Sequence, residues 1–135
     1  MFLEKLNRQQ KKLFMDLAIK AAEANGVVEY KEKRMLDFFA MEMQIETKYS
    51  TDLDVEYIIK ELVKISSASV LRIITLEILA IMISDNEFDA QEENFINNMI
   101  QKFNISKNVE EQILETLTGY VGLYNKLKEL IIEPG

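Results

Sequence analysis

The longest run of apolar positions lies in the middle of the chain. From Ser67 to Asp85 a helix would be hydrophobic on nearly every face, with Leu71, Ile73, Ile74, Leu76, Ile78, Leu79, Ile81, Met82 and Ile83 spread around it. A helix of that kind has to be enclosed by protein or lipid. A bilayer fits it poorly, because the run is slightly short for a span and carries Arg72 and Glu77 near its middle, each costing about 2.5–3.5 kcal/mol at the bilayer centre. We therefore expect the central helix of a bundle, with the other helices wrapped around it.

The flanking segments repeat apolar residues at helical spacing. Asn7 followed by Gln10 has the form of a capping box, and Leu13, Phe14, Leu17, Ala18, Ala21 and Ala22 then predict a helix over about 8–24, stopped by Gly26. Glu29 and Glu32 flank the start of a second helix whose inner stripe is Met35, Leu36, Phe39 and Met43. Residues 46–52 are polar and unpatterned, a loop. Asp52 or Asp54 caps a third helix with Val55, Ile58, Ile59, Leu62 and Val63 inward, and Ser66 or Ser67 caps the central one. After Asp85 and Asn86, the pair Asp89 and Glu92 is a second capping box, opening a helix that turns Phe95, Ile96, Met99, Ile100 and Phe103 inward. Ser106 caps the last helical region, where Ile113, Leu117, Tyr120, Tyr124, Leu127 and Ile131 step by four and three. That seam suits packing along another helix, first within its own domain and second in a dimer. Gly119 and Gly122 predict a break or kink in it. Strand-type alternation is absent throughout, so residues 1–135 read as one all-α domain, a bundle of six to seven helices around a buried central helix.

Composition narrows the chemistry. The 135 residues are 48% hydrophobic and 29% charged, ordinary for one folded domain. With 16 basic and 23 acidic residues the formal charge is −7, which opposes nucleic acid and anionic lipid as partners. Residues 1–20 run against that trend: Lys5, Arg8, Lys11, Lys12 and Lys20 against Glu4 and Asp16 leave a local +3, so the rest sums to −10. This reads as a solvated helix face or a docking face for an acidic partner. Cys and His are both absent, which removes disulfides, thiol and imidazole catalysis and ordinary zinc sites. No basic leader precedes an apolar core at the N-terminus, so a cytoplasmic location is expected. Phosphate-loop and nucleophile-elbow motifs are missing, and without Trp a sugar-binding cleft is poorly supplied, so an enzyme is not expected. Met35, Met82 and Met99 fall on inner faces, while Met41 and Met43 are ambiguous.

Sliding the chain by 60 residues superimposes two helix-loop-helix units without a gap. Asn25-Gly26-Val27-Val28-Glu29-Tyr30-Lys31-Glu32 falls on Asp85-Asn86-Glu87-Phe88-Asp89-Ala90-Gln91-Glu92, and Met35, Leu36, Phe39 and Ile45 fall on Phe95, Ile96, Met99 and Ile105. Two similar helical hairpins related by an approximate two-fold are expected. The doubled element, small-x-small-Asp-Gly-x-aliphatic followed by Glu, resembles the TerB-like tellurite-resistance family over about residues 10–106, through Ala22 to Val28 with Glu32 and Ser84 to Phe88 with Glu92. That resemblance implies a bacterial helical bundle serving as a non-catalytic module in stress-response complexes, with acidic loop residues at its binding site. Asn25 stands where the family's pattern has Asp, and Asn86 where it has Gly. Asn tolerates the left-handed backbone, so the turn survives, but the first loop loses a charge.

The loop residues Asn25, Gly26, Glu29, Glu32, Asp85, Asn86, Asp89 and Glu92 are thus the candidate site. Asp85 to Glu92 also matches the back half of an EF-hand loop, yet the front half would place Ile81 and Ile83 at ligand positions, so one loop cannot supply the six to eight oxygens calcium takes. A divalent cation bridging the two hairpins through Asp85, Asp89, Glu92 and Glu32 is the alternative to an interaction module needing no cofactor. The same acids are also accounted for by capping alone, worth about 0.3–1 kcal/mol each against the helix dipole. The partner expected is another protein, with a homodimer second.

Overall fold

Asn7 turns the chain into its first helix: its side chain accepts from the Gln10 N–H at 2.9 Å while the Gln10 side chain accepts from the Asn7 N–H at 2.8 Å. The computed structural model describes residues 1–24, 28–83 and 89–132. After a 3-10 turn at Leu3–Lys5 come α1 (Arg8–Ala22), α2 (Tyr30–Met43), α3 (Val55–Ile65), α4 (Ala68–Ile83), α5 (Ala90–Lys102) and α6 (Lys107–Ile132). No strand occurs among the described residues, and the all-α bundle expected from the sequence is what forms.

The 60-residue repeat is structural. α1 and α4 begin at 8 and 68, α2 and α5 at 30 and 90. Glu29 with Glu32 and Asp89 with Glu92 form matching capping boxes. The correspondence extends to the helix ends. Gln44 and Asn104, 60 apart, take left-handed φ values of 57° and 58°. Beyond each, the Ile45 N–H donates to the Ala40 carbonyl at 3.0 Å and the Ile105 N–H to the Ile100 carbonyl at 2.9 Å, the long-range bond of a Schellman end. The proposed turns at Asn25-Gly26 and Asp85-Asn86, and the stop at Gly26, lie outside the described residues.

One central helix becomes two. α1 packs against α2, α3 and α4, and every residue from Leu13 to Ile19 is buried. α4 packs against α1, α5 and α6, burying Leu71, Ile74, Thr75, Glu77, Ile78, Leu79, Ile81 and Met82. The sequence singled out α4 because its apolar residues are bulkier. α1 hides behind small residues, Ala18, Ala21 and Ala22, that let neighbours approach closely. Phe14 of α1 meets Phe39 of α2 edge to face at 5.2 Å, an arrangement worth about 0.5–1.5 kcal/mol beyond its buried area. α3 starts at Asp54, whose carboxylate accepts from the Glu56 N–H at 3.0 Å. It buries Ile58, Ile59 and Leu62, but Val63, expected inward, is 40% exposed, because the stripe that α1 and α5 cover is too narrow to include it. At the other end of the same side, Glu56 accepts from Asn98 at 2.8 Å and pairs with Lys102, which holds its carboxyl below the usual range and ties α3 to α5.

The last helix departs most from expectation. Ser106 caps it, accepting from the Val109 N–H at 3.2 Å, but Gly119 and Gly122 do not break it: α6 runs unbroken for 26 residues, about 39 Å. A glycine inside a helix costs only about 0.5–1 kcal/mol, which the good helix formers on either side offset. A Cβ at either position would meet nothing within 4 Å, so close packing does not explain them. Nor does the seam pack on its own domain along its length. Leu117 is buried against the bundle and Ile113 partly so, yet every residue from Thr118 to Ile132 is exposed.

Candidate functional site

α6 has outgrown its neighbour. α4 is 16 residues long, so α6 leaves the bundle after Leu117 as a free helical arm carrying Tyr120, Leu123, Tyr124, Leu127, Leu130 and Ile131, each 52–78% exposed. At about 100° per residue these six fall within about 120° of arc, with Thr118, Gly122, Asn125, Lys126 and Glu129 opposite. A helix with such a stripe is built to lay it on something.

At the base of the arm lies a groove of about 630 Å³. One wall is Ser69, Arg72, Ile73 and Leu76 of α4; the other is Val109, Ile113, Thr116 and Tyr120 of α6, over Leu117, with Met1 and Phe2 closing one side. On α4 this is the stripe that α1 and α5 leave uncovered: Ser69 and Arg72 are exposed, Ile73 and Leu76 half-buried. On α6 the groove wall and the arm's apolar stripe share one line, joined at Tyr120. The groove and arm are therefore one continuous apolar surface.

The N-terminus is clamped beside it. The Met1 ammonium donates to Glu77 Oε2 at 2.6 Å and Glu42 Oε1 at 3.2 Å, and the Leu3 N–H donates to Glu42 Oε2 at 2.9 Å. Burial works to lower the ammonium's pKa, but the two carboxylates outweigh it and hold it above the ordinary α-amino value. For Glu77, burial pushes the carboxyl up, with the ammonium and the Phe2 N–H opposing. Of the two charges that argued against a membrane span, Arg72 thus reaches solvent at the groove's rim and Glu77 is buried with a counter-ion. No described helix is long and apolar enough to cross a membrane.

The acidic loop residues sit elsewhere. Glu32 accepts from the Glu29 N–H at 3.0 Å, Glu92 from the Asp89 N–H at 3.1 Å, and Asp89 from the Glu92 N–H at 2.8 Å; Glu32 and Glu92 are buried by these caps. Among the described residues no three acids are grouped so as to hold a metal ion, and Asn25, Gly26, Asp85 and Asn86 lie outside them. In the basic N-terminal segment Lys5, Arg8 and Lys12 are exposed, but Asp16 is not among them: it is buried, with Lys48 Nζ at 2.5 Å from Oδ1 as an ion pair without hydrogen-bond alignment. The Met residues divide as expected at 82 and 99, both buried; Met35 is half-buried, Met43 buried and Met41 72% exposed.

Sequence reasoning missed the groove. One signal was present: Ser69 with Arg72 marks one side of α4 as meant for water or a partner's edge. No family model, curated protein or solved structure matches the chain.

Proposed function

We propose that this protein is a non-catalytic interaction module of the TerB-like type, serving a bacterial stress response in the cytoplasm, and that it binds protein through the α6 arm and the groove at its base. The observation that carries the reading is the contiguous apolar surface from Ile73 and Leu76 across Tyr120 to Ile131. Exposed patches of this extent on a folded domain mark protein contact sites. Catalysis has little support there: the polar side chains at the groove are Ser69, Arg72, Gln112 and Thr116 with the Tyr120 hydroxyl, a set lacking a carboxylate or imidazole to move a proton.

Affinity capture from the native host tests the reading. The full chain retains a protein in stoichiometric amount, either another chain or untagged copies of itself, and Leu127→Glu loses it. Capture that is equally strong with Leu127→Glu, or absent with both, contradicts it.

A further inference from the structure

We infer that the surface formed by groove and arm is filled by a second copy of this chain, the two α6 helices crossing antiparallel so that each arm lies in the other's groove; the inference rests on the interaction reading above and names its partner. The first support is a symmetry in the seam. Ile113, Leu117, Tyr120, Tyr124, Leu127 and Ile131 are spaced four, three, four, three, four, which reads identically in both directions about residue 122. A two-fold axis there sets Ile113 against Ile131 and Tyr120 against Tyr124 of the second copy, and Leu127 over the groove floor where the buried Leu117 lies, apolar against apolar at every level, as an antiparallel pair requires. A two-fold contact must be self-complementary, and this stripe is.

The second support is length. The groove runs along α6 from Val109 to Tyr120, about 16 Å, and the arm from Tyr120 to Ile132 runs about 18 Å. Because both features lie on one face of one helix, rotation about residue 122 lays each arm over the other chain's groove with no rearrangement of the bundle. The third support is area. The arm's six apolar side chains, half to three-quarters exposed, offer on the order of 700 Å². The groove walls contribute again in the exchange, which brings each protomer to the ~800 Å² per partner of a standard interface. The arrangement also resolves what the isolated chain leaves open: Ile73 and Leu76, the bare side of an otherwise enclosed α4, become covered.

Sedimentation equilibrium of the full chain at 10–200 µM, with engineered disulfides, tests this. The expected mass is twice 15.7 kDa. Leu127→Glu shifts it to 15.7 kDa with the far-UV circular dichroism of a folded bundle, since the arm lies outside the core. The chain has no cysteine of its own, so introduced thiols report only their own contacts. Near the axis, the double variant Tyr120→Cys/Tyr124→Cys sets a thiol of one chain level with a thiol of the other and oxidises to a covalent dimer; Ile131→Cys, about 27 Å from its counterpart across the axis, does not. Disulfide formation by both variants indicates parallel helices and overturns the proposal. So does a dimer that survives Leu127→Glu. A wild-type monomer at 200 µM overturns the proposal too; if such a monomer still captures a different protein through the arm, the interaction reading stands without it, and if it captures none, both fall.

Discussion

The two halves of the molecule share one plan and reach different ends. α1 and α4 are equivalent rods, 60 residues apart, yet α1 is enclosed and α4 is not. At equivalent positions Leu13 and Asp16 are buried, whereas Ile73 and Leu76 are half-open. The difference lies in the segment that leaves each hairpin. After α2 the chain takes eleven residues, 44–54, to reach α3, and that connection supplies Lys48, which closes over Asp16. After α5 it takes only four, 103–106, and then extends α6 well past the rod it should cover. One half has finished its core; the other has exchanged cover for an arm. A repeated unit is thus a poor guide to function where its copies agree and a good one where they diverge.

The comparison breaks most visibly in the core. Phe14 and Ile74 occupy equivalent positions, both fully buried. Phe14→Ala is expected to cost about 3–5 kcal/mol and Ile74→Ala about 2–5 kcal/mol in chemical unfolding, the range for large-to-small changes in packed interiors. If the halves were unrelated in packing, one of the two would fall near the ±0.5 kcal/mol of a surface change.

Next in size is the closure of the first half. Lys48→Ala leaves the buried Asp16 without its counter-ion and is expected to lower stability by about 1–3 kcal/mol, the cost of an unpaired buried polar group. Asp16→Asn in the same background should recover part of the loss. A Lys48→Ala chain as stable as wild type would mean that the long connection does not close α1.

The caps come third. Asp89→Ala and Glu92→Ala each remove one arm of a capping box and should cost about 0.5–2 kcal/mol, whereas Glu92→Gln removes the charge and keeps the arm, as Gln10 does at the start of α1. If capping is what these acids do, millimolar Mg2+, Mn2+ or Ca2+ leaves the wild-type melting temperature unchanged. A metal-dependent rise that Glu92→Gln abolishes would instead favour a cation bridge between the hairpins.

A pH scan separates the halves at the N-terminal clamp, which only the second rod has. Met1's ammonium has its folded-state pKa raised above 8.0, so the stability it confers is present below that value and is lost as pH rises through the folded-state pKa. Glu77 is raised from 4.5, so its burial becomes more costly as pH climbs above 4.5. Both shifts lower stability with rising pH, in two separate windows. In Glu77→Gln the acidic window should vanish and the alkaline one flatten. An unchanged pH profile would show that the clamp is not formed.

The smallest effect concerns α6. Gly122→Ala, with open space around the added methyl, should stabilise the helix by about 0.5–1 kcal/mol and raise ellipticity at 222 nm. Loss of helicity on that change would restore the break at 119–122.

Much of this architecture was legible in the chain. Asn7-Gln10, Asp89-Glu92 and Ser106 mark their helix starts by local hydrogen bonding that needs no tertiary context, and all three do so in the structure, while of Asp52 and Asp54 it is Asp54 that caps α3. The glycines of α6 misled because a helix break is decided by the sum of neighbouring propensities, not by one residue. Val63 misled because the width of a buried stripe depends on which helices arrive to cover it. For the site, the acidic loops drew attention by charge density, whereas the arm and groove consist of ordinary apolar residues whose significance lies in what fails to cover them. The seam spacing was visible; that α4 ends before it does was not.

Hydrogen exchange along α6 as a function of protein concentration decides whether a second copy covers the arm. Amides of 110–117 should exchange slowly at every concentration, because the bundle of one chain protects them. Those of 120–132 should exchange quickly at submicromolar concentration and slow markedly at 200 µM, as the second copy arrives. An arm equally protected at all concentrations would mean that it packs on its own chain, and one unprotected at all of them would mean that no second copy covers it; either result contradicts the paired-arm arrangement.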